Sequence, residues 1–175
     1  MASARKCGGC TLCCKVLPVA EIGKADNERC QHKCVKGCKI YRTPAMPISC
    51  RFWDCRWING DDTADLSRPD RSHYVIDTIP DIVQTITETG EQASISAVQV
   101  WVDPDYRNAH RDPALRRFLQ RRAEEDGMVA IIRYSADERF VLVAPPLAGG
   151  EWLERHGTTV KSEKSPFERC LTGSI

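Results

Sequence analysis

The chain has no apolar run approaching the roughly 18 residues that a membrane-crossing helix needs, although hydrophobic residues make up 42% of its 175 positions. A membrane association is therefore not expected. It also lacks a phosphate-cradling glycine loop, a His-Glu-x-x-His pair and a nucleophile elbow, which leaves nucleotide-binding, conventional metalloprotease and hydrolase readings without support. Aromatic residues are sparse at 7%, and neither stacked aromatics nor a basic helical periodicity is developed, so a nucleic-acid surface is not expected. The few residues ahead of Cys7, Met-Ala-Ser-Ala-Arg-Lys, hold no apolar stretch, so neither a leader nor an anchor is expected and the cytoplasm is the anticipated location.

Cysteine, by contrast, is abundant and unevenly placed. Of ten cysteines, nine fall between positions 7 and 55: Cys7, Cys10, Cys13, Cys14, Cys30, Cys34, Cys38, Cys50 and Cys55. Cys170 stands alone and reads as a lone thiol. In a reducing compartment such density points to metal ligation by thiolates, and an odd number fits disulfide pairing poorly. Residues 1–58 carry 11 Lys/Arg against 4 Asp/Glu, a balance of +7, while residues 59–175 carry 14 against 20, a balance of −6. The basic part is the cysteine-rich part. Four thiolates on one divalent ion sum to 2−, so part of this excess is explained as countercharge to metal-bound sulfur.

The cysteines fall into three groups. The run Cys7-Gly-Gly-Cys10-Thr-Leu-Cys13-Cys14 repeats the two-residue gap that aims two sulfurs at one ion, with glycines that let backbone amides turn toward them. Cys13 and Cys14 are adjacent, so they either serve different centres or only one is a ligand. Cys30, Cys34 and Cys38 have three-residue gaps that could align them along a helical turn, with Gly37 permitting a turn before Cys38; His32 reads better as a solvated histidine than as a ligand. In Cys50-Arg-Phe-Trp-Asp-Cys55-Arg-Trp-Ile, Phe52, Trp53, Trp57 and Ile58 either pack over the centre or anchor the segment to the main core.

These blocks, together with Cys38-Lys-Ile-Tyr41, resemble the YkgJ-type cysteine-cluster family, known by its CxxCxxCC motif and associated with chelation of zinc or iron. The resemblance covers about the first third of the chain. It departs from the family where an Arg-Pro pair should follow the tyrosine and Tyr41-Arg-Thr-Pro44 stands instead; Arg68-Pro-Asp-Arg71 is similar to a segment of long members. The resemblance implies metal binding and no settled reaction. A related cluster in enzymes that methylate flagellin lysines looks like an iron-sulfur site, but no dedicated methyl-transfer domain is recognisable here.

The ligands suit zinc and iron about equally. At least eight sulfurs allow two closed four-thiolate zinc sites able to hold a coreless segment together. Cys7-x2-Cys10-x2-Cys13 reproduces the three-ligand spacing of bacterial ferredoxin loops, with a fourth cysteine from Cys30, Cys38, Cys50 or Cys55 completing a 4Fe-4S site. Magnesium and calcium do not suit soft ligands.

Beyond the acidic stretch 59–71, read as a linker loop, the pattern becomes β-branched alternation. Residues 72–79, 82–88 and 93–103 read as strands; Asp112-Pro113 starts a helix with Leu115, Phe118 and Leu119 on its apolar face, ending at Gly127; and 128–134 with 139–144 read as a hairpin. The fold class expected is α+β: an irregular metal-binding module over 1–58 and, over 72–148, a mostly antiparallel sheet with at least one packed helix. The tail 149–175 reads as irregular, with Trp152 and Leu153 as docking residues and mobility beyond Gly157. His73 and His110 read as strand surface and loop rather than as catalytic groups. Arg116, Arg117, Arg121 and Arg122 read as a solvated face balanced by Glu124, Glu125 and Asp126. The function expected is metal binding with a structural or metal-handling role, the α+β part being free to recognise a protein partner; the alternative is an iron-sulfur redox protein or a component of a methyl-transfer enzyme.

Overall fold

A computed structural model describes residues 5–86 and 89–157. The chain is α+β, built on a mixed six-stranded sheet. The cysteine-rich part contributes three short helices, α1 (Cys13–Val16), α2 (Ile48–Phe52) and α3 (Arg56–Asn59), and a small hairpin of β1 (Lys33–Cys34) and β2 (Gly37–Cys38). After α4 (Pro69–Ser72) come β3 (Tyr74–Ile76), β4 (Asp81–Ile86) and β5 (Gln92–Val102). Then α5 (Pro113–Asp126) leads to β6 (Val129–Arg133), β7 (Arg139–Val143), α6 (Pro145–Ala148) and β8 (Leu153–Arg155).

β5 organises the sheet. Its first half pairs with β4 (Val83 opposite Ile95) and its second half with β3 (Ile76 opposite Val100). Its other edge pairs in parallel with β6, Val98 opposite Ala130. A parallel neighbour requires a crossover, and α5 supplies it. All other pairings are antiparallel, β7 on β6 and β8 on β7. The helix begins where the Asp112 carboxylate accepts the Ala114 amide at 2.9 Å and ends at Gly127, whose φ of 64° suits the left-handed cap. Leu115, Phe118, Leu119 and Ala123 form its buried face, which packs on Tyr74, Ile76, Val98, Val100, Ala130, Ile132 and Leu142 in the main core.

The opposite face of the sheet is covered too. Val75 and Trp101 project into a second apolar cluster with Leu12, Val16, Leu17, Val19 and Trp53 of the cysteine-rich part. Double coverage explains why residues 97–102 of β5 are all buried, whereas 92–96 alternate between exposed and intermediate. A buried polar row lies on this face, where Trp101 Nε1 donates to Gln99 Oε1 and Gln99 Nε2 to Asp81 Oδ2, both at 2.7 Å.

Several expectations are corrected. Cys30 to Cys38 form no helical turn; β1 and β2 pair with Cys34 opposite Gly37. The linker 59–71 carries a 3-10 turn, Asp61–Thr63, and the start of α4. The first strand is shorter than 72–79, because Ser72 closes α4 and His73, with φ 61°, caps it. The tail is not wholly irregular, since β8 completes the sheet. Positions 87 and 88 of the second expected strand, the segment beyond Gly157 and Cys170 lie outside the described residues.

Candidate metal centre

The Cys7 to Cys10 turn closes by a Cys10 amide to Cys7 carbonyl bond of 2.9 Å. Gly8 adopts φ 52°, and its carbonyl lies only 2.6 Å from where a Cβ on Gly37 would stand. The opening turn therefore seats directly on the β1–β2 hairpin, and glycine at 37, with φ 123°, is a steric requirement of that contact. Cys13 and Cys14 form the first turn of α1. The Cys14 carbonyl accepts the Cys30 amide at 3.1 Å, which ties the second cysteine group to the first.

The third group is placed by two anchors. Glu21 reaches across to α2 and accepts both the Ser49 amide, at 3.1 Å, and the Ser49 hydroxyl, fixing the segment that carries Cys50. Cys55 forms a bridge with Asp77 beside β3, and the Asp77 carboxylate accepts Trp53 Nε1 at 3.0 Å. Cys10, Cys13, Cys50 and Cys55 all pack against the apolar cluster shared with Val75 and Trp101. These four of the nine cysteines thus stand at the joint between the cysteine-rich part and the sheet.

Backbone amides favour the charged form of several sulfurs. Those of Leu12 and Asp70 act to lower the Cys10 thiol, that of Ile40 the Cys38 thiol, and those of Trp57 and Ile58 the Cys55 thiol. In each case one donor lies two residues beyond the cysteine. Such bonds favour the charged sulfur, yet burial opposes ionisation and is the larger effect. Burial pushes the Cys7 thiol up to about 11 and those of Cys50 and Cys55 to about 12. Cys10 and Cys38 are also raised by burial. Cys13 is raised by its hydrogen bond to Cys14 and by burial, while that bond and the nearby Lys24 and Lys33 hold Cys14 down to about 7.

Two cations serve this neighbourhood. Lys24, only 6% exposed, donates its ammonium to the carbonyls of Lys15 (3.1 Å), Leu17 (2.5 Å) and Ala25 (2.9 Å) at the end of α1. Arg68 forks onto Asp70 at 2.6 and 2.7 Å and lies beside Cys10 and Cys7, its Nη1 being 3.6 Å from the Cβ position of Gly8. The basic excess read from the sequence foresaw such cations without singling out Lys24.

Other sequence candidates fare differently. Trp53 is buried and Trp57 touches both apolar clusters, but Phe52 is 72% exposed and covers no sulfur. His32 gives its carbonyl to the Lys39 amide. His73 is an αL cap stacked on Tyr106 at 3.5 Å, not a strand residue. His110 is no open loop residue either: it is buried, its Nδ1 2.7 Å from the Arg107 carbonyl and 3.0 Å from the Tyr134 hydroxyl. On α5, Arg122 pairs with Glu125 and Asp126 as the sequence suggests, while Arg117 and Arg121 turn to Asp65. Arg116 stacks on Trp152 at 4.3 Å, which docks that residue on the main core.

Among the described residues, no three Cys, His, Asp or Glu side chains stand ready to close on one ion. The donors suit a soft metal in their chemistry, being free thiols; closing on an ion would require the thiols to rotate and lose protons. No helix among the described residues is long and apolar enough to cross a membrane. The chain matches no family model, no curated protein and no solved structure.

Proposed function

We propose that this is a metal-binding protein in which a cysteine cluster chelates zinc or iron and holds residues 5–58 on the α+β sheet. The observation that carries this reading is the gathering of nine free thiols, of which Cys10, Cys13, Cys50 and Cys55 pack against the same apolar cluster that joins the cysteine-rich part to the sheet. Burial keeps most of these thiols neutral, and a bound metal would make the thiolate their stable form. Ligation supplies the cross-links that short helices of four or five residues cannot supply for themselves. The role that follows is structural or metal-handling, with the sheet presenting a fixed surface to a protein partner.

A second reading, an iron-sulfur redox protein or methyl-transfer component, is supported by one specific feature. Cys7, Cys10 and Cys13 carry ferredoxin spacing, and the remote Cys55 has Cys7 and Cys10 as its sulfur neighbours. An iron-sulfur cluster would supply electron transfer; the chain's own part would be to hold it with cysteines that pack against the apolar cluster of Trp53 and Trp101.

Anaerobic purification followed by zinc, iron and acid-labile sulfide analysis with a visible spectrum separates the readings. Zinc without sulfide and no colour supports the structural reading; iron with matching sulfide and charge-transfer absorbance supports the redox one. A folded chain that takes up neither metal when both are offered excludes both.

A further inference from the structure

We propose that the chain forms a two-fold dimer by pairing the outer edge of β4 with the same strand of a second copy, antiparallel and centred on Gln84. The two sheets join into one.

The case starts from the margins of the sheet. β4 pairs with β5 alone, and among the described residues no strand lies along its other side. An open edge offers a row of backbone donors and acceptors to any strand that meets it, and proteins ordinarily blunt such edges with charge, proline, a bulge or extreme shortness. The far margin is blunted in that way: β8 has three residues, Leu153–Arg155, of which Glu154 and Arg155 are charged. β3, on the same side of β5 as β4, is also three residues long and is buried throughout. β4 is guarded only at its start, by Pro80 and Asp81. From there Ile82-Val83-Gln84-Thr85-Ile86 runs in unbroken register with β5 and holds no charge, no proline and no bulge.

Side-chain chemistry says which strand fits this edge. Alternate residues share a face, so Ile82, Gln84 and Ile86 stand together, opposite Ser96, Ser94 and Gln92 of β5. They lie outside the core under α5, with Ile82 49% and Ile86 71% exposed. The stretch reads alike from both ends: isoleucine, β-branched residue, glutamine, β-branched residue, isoleucine. Antiparallel pairing about Gln84 sets Ile82 against Ile86 of the second copy, Val83 against Thr85 of the second copy, and Gln84 against its own symmetry mate. Isoleucine meets isoleucine twice, and no like charges meet. Sliding one strand by two residues sets Gln84 against an isoleucine instead, which leaves its amide without a polar mate.

Gln84 is prepared for the axial position. Its Oε1 accepts the Ser94 hydroxyl at 3.1 Å, which orients the carboxamide, and its Nε2 has no partner among the described residues. Across a two-fold axis the Nε2 of each glutamine can donate to the second lone pair of the other's Oε1. The net charge of +1 sets up little long-range repulsion between copies. One strand pair makes a small interface, so the dimer is concentration-dependent.

The test is sedimentation of the anaerobically prepared, fully reduced full chain over a range of concentrations, with each variant checked for folding by circular dichroism. The unmutated chain is expected to show a reversible monomer–dimer equilibrium. I82E and I86K each weaken it by about tenfold or more, since each change enters the symmetric interface twice. The double variant I82E/I86K regains it, because both outer pairs then join opposite charges. Q84K and Q84E are each monomeric alone, and their equimolar mixture forms the mixed dimer; this pair keeps the test open if an isoleucine variant fails to fold. A chain that is monomeric at every concentration overturns the proposal, as does a dimer indifferent to all these changes. Dissociation by the single changes without rescue by the double variant or the mixture overturns the antiparallel pairing about Gln84.

Discussion

Leu17 is fully buried at 0% exposure and belongs to the apolar cluster shared by α1, Trp53, Val75 and Trp101. Leu17→Ala removes three buried carbons, about 2.4 kcal/mol at about 0.8 kcal/mol per carbon, and incomplete collapse of the gap brings the cost to about 3–4 kcal/mol. The backbone carbonyl that holds the Lys24 ammonium remains in place, so the change isolates packing. A loss of this size is a large share of the roughly 5–15 kcal/mol typical of a domain and lowers Tm by about 10 °C for a chain of this length. The assay is urea unfolding of the metal-loaded protein under reducing conditions, followed by tryptophan fluorescence and far-ultraviolet circular dichroism. Both signals are expected to shift together, because the cluster joins the cysteine-rich part to the sheet. Leu147→Ala, at a position 44% exposed, serves as the control and costs under about 0.5 kcal/mol. A cost below about 1 kcal/mol for Leu17→Ala, or a fluorescence shift with the sheet transition unmoved, would refute the shared joint.

Asp112→Ala removes both the cap on Ala114 and the acceptor for the Tyr74 hydroxyl at 2.9 Å; it is expected to cost about 2 kcal/mol and Asp112→Asn distinctly less, read from unfolding midpoints. Gly37→Ala places a Cβ 2.6 Å from the Gly8 carbonyl at a φ of 123°. It is expected to weaken metal retention against a competing chelator, and unchanged retention would show that the opening turn does not depend on the hairpin.

Helix α5 was legible because its signals were local: Asp112 and Pro113 at the start, an apolar face at helical spacing, and Gly127 at the end. The same holds for the strands from Tyr74 to Val143, whose cores were found with ends displaced by one to a few residues. What escaped was set by long-range contacts. The residues of β8 are all exposed, so nothing in their own pattern announces a strand; pairing of Glu154 with Leu142 creates it. The spacing of Cys30, Cys34 and Cys38 suited a helix, but the Gly8 carbonyl against Gly37 favours a hairpin. At the site, the cysteines and the need for nearby cations were readable from composition. The burial of Lys24 was not, because three carbonyls gathered by the end of α1 determine it. Attachment to the sheet had one readable sign, the run from Ala97 to Val102, apolar at every position but Gln99, which suits a strand covered on both faces.

The central claim, that thiolate-bound metal holds the cysteine-rich part on the sheet, is tested most directly by amide hydrogen exchange of the anaerobically purified protein before and after complete chelation. Chelation is expected to remove protection across residues 5–58 and to reduce it at Val75 and Trp101, while α5 and the β6–β7 pair keep theirs. Unchanged exchange in residues 5–58 after every metal ion has been removed would contradict the claim.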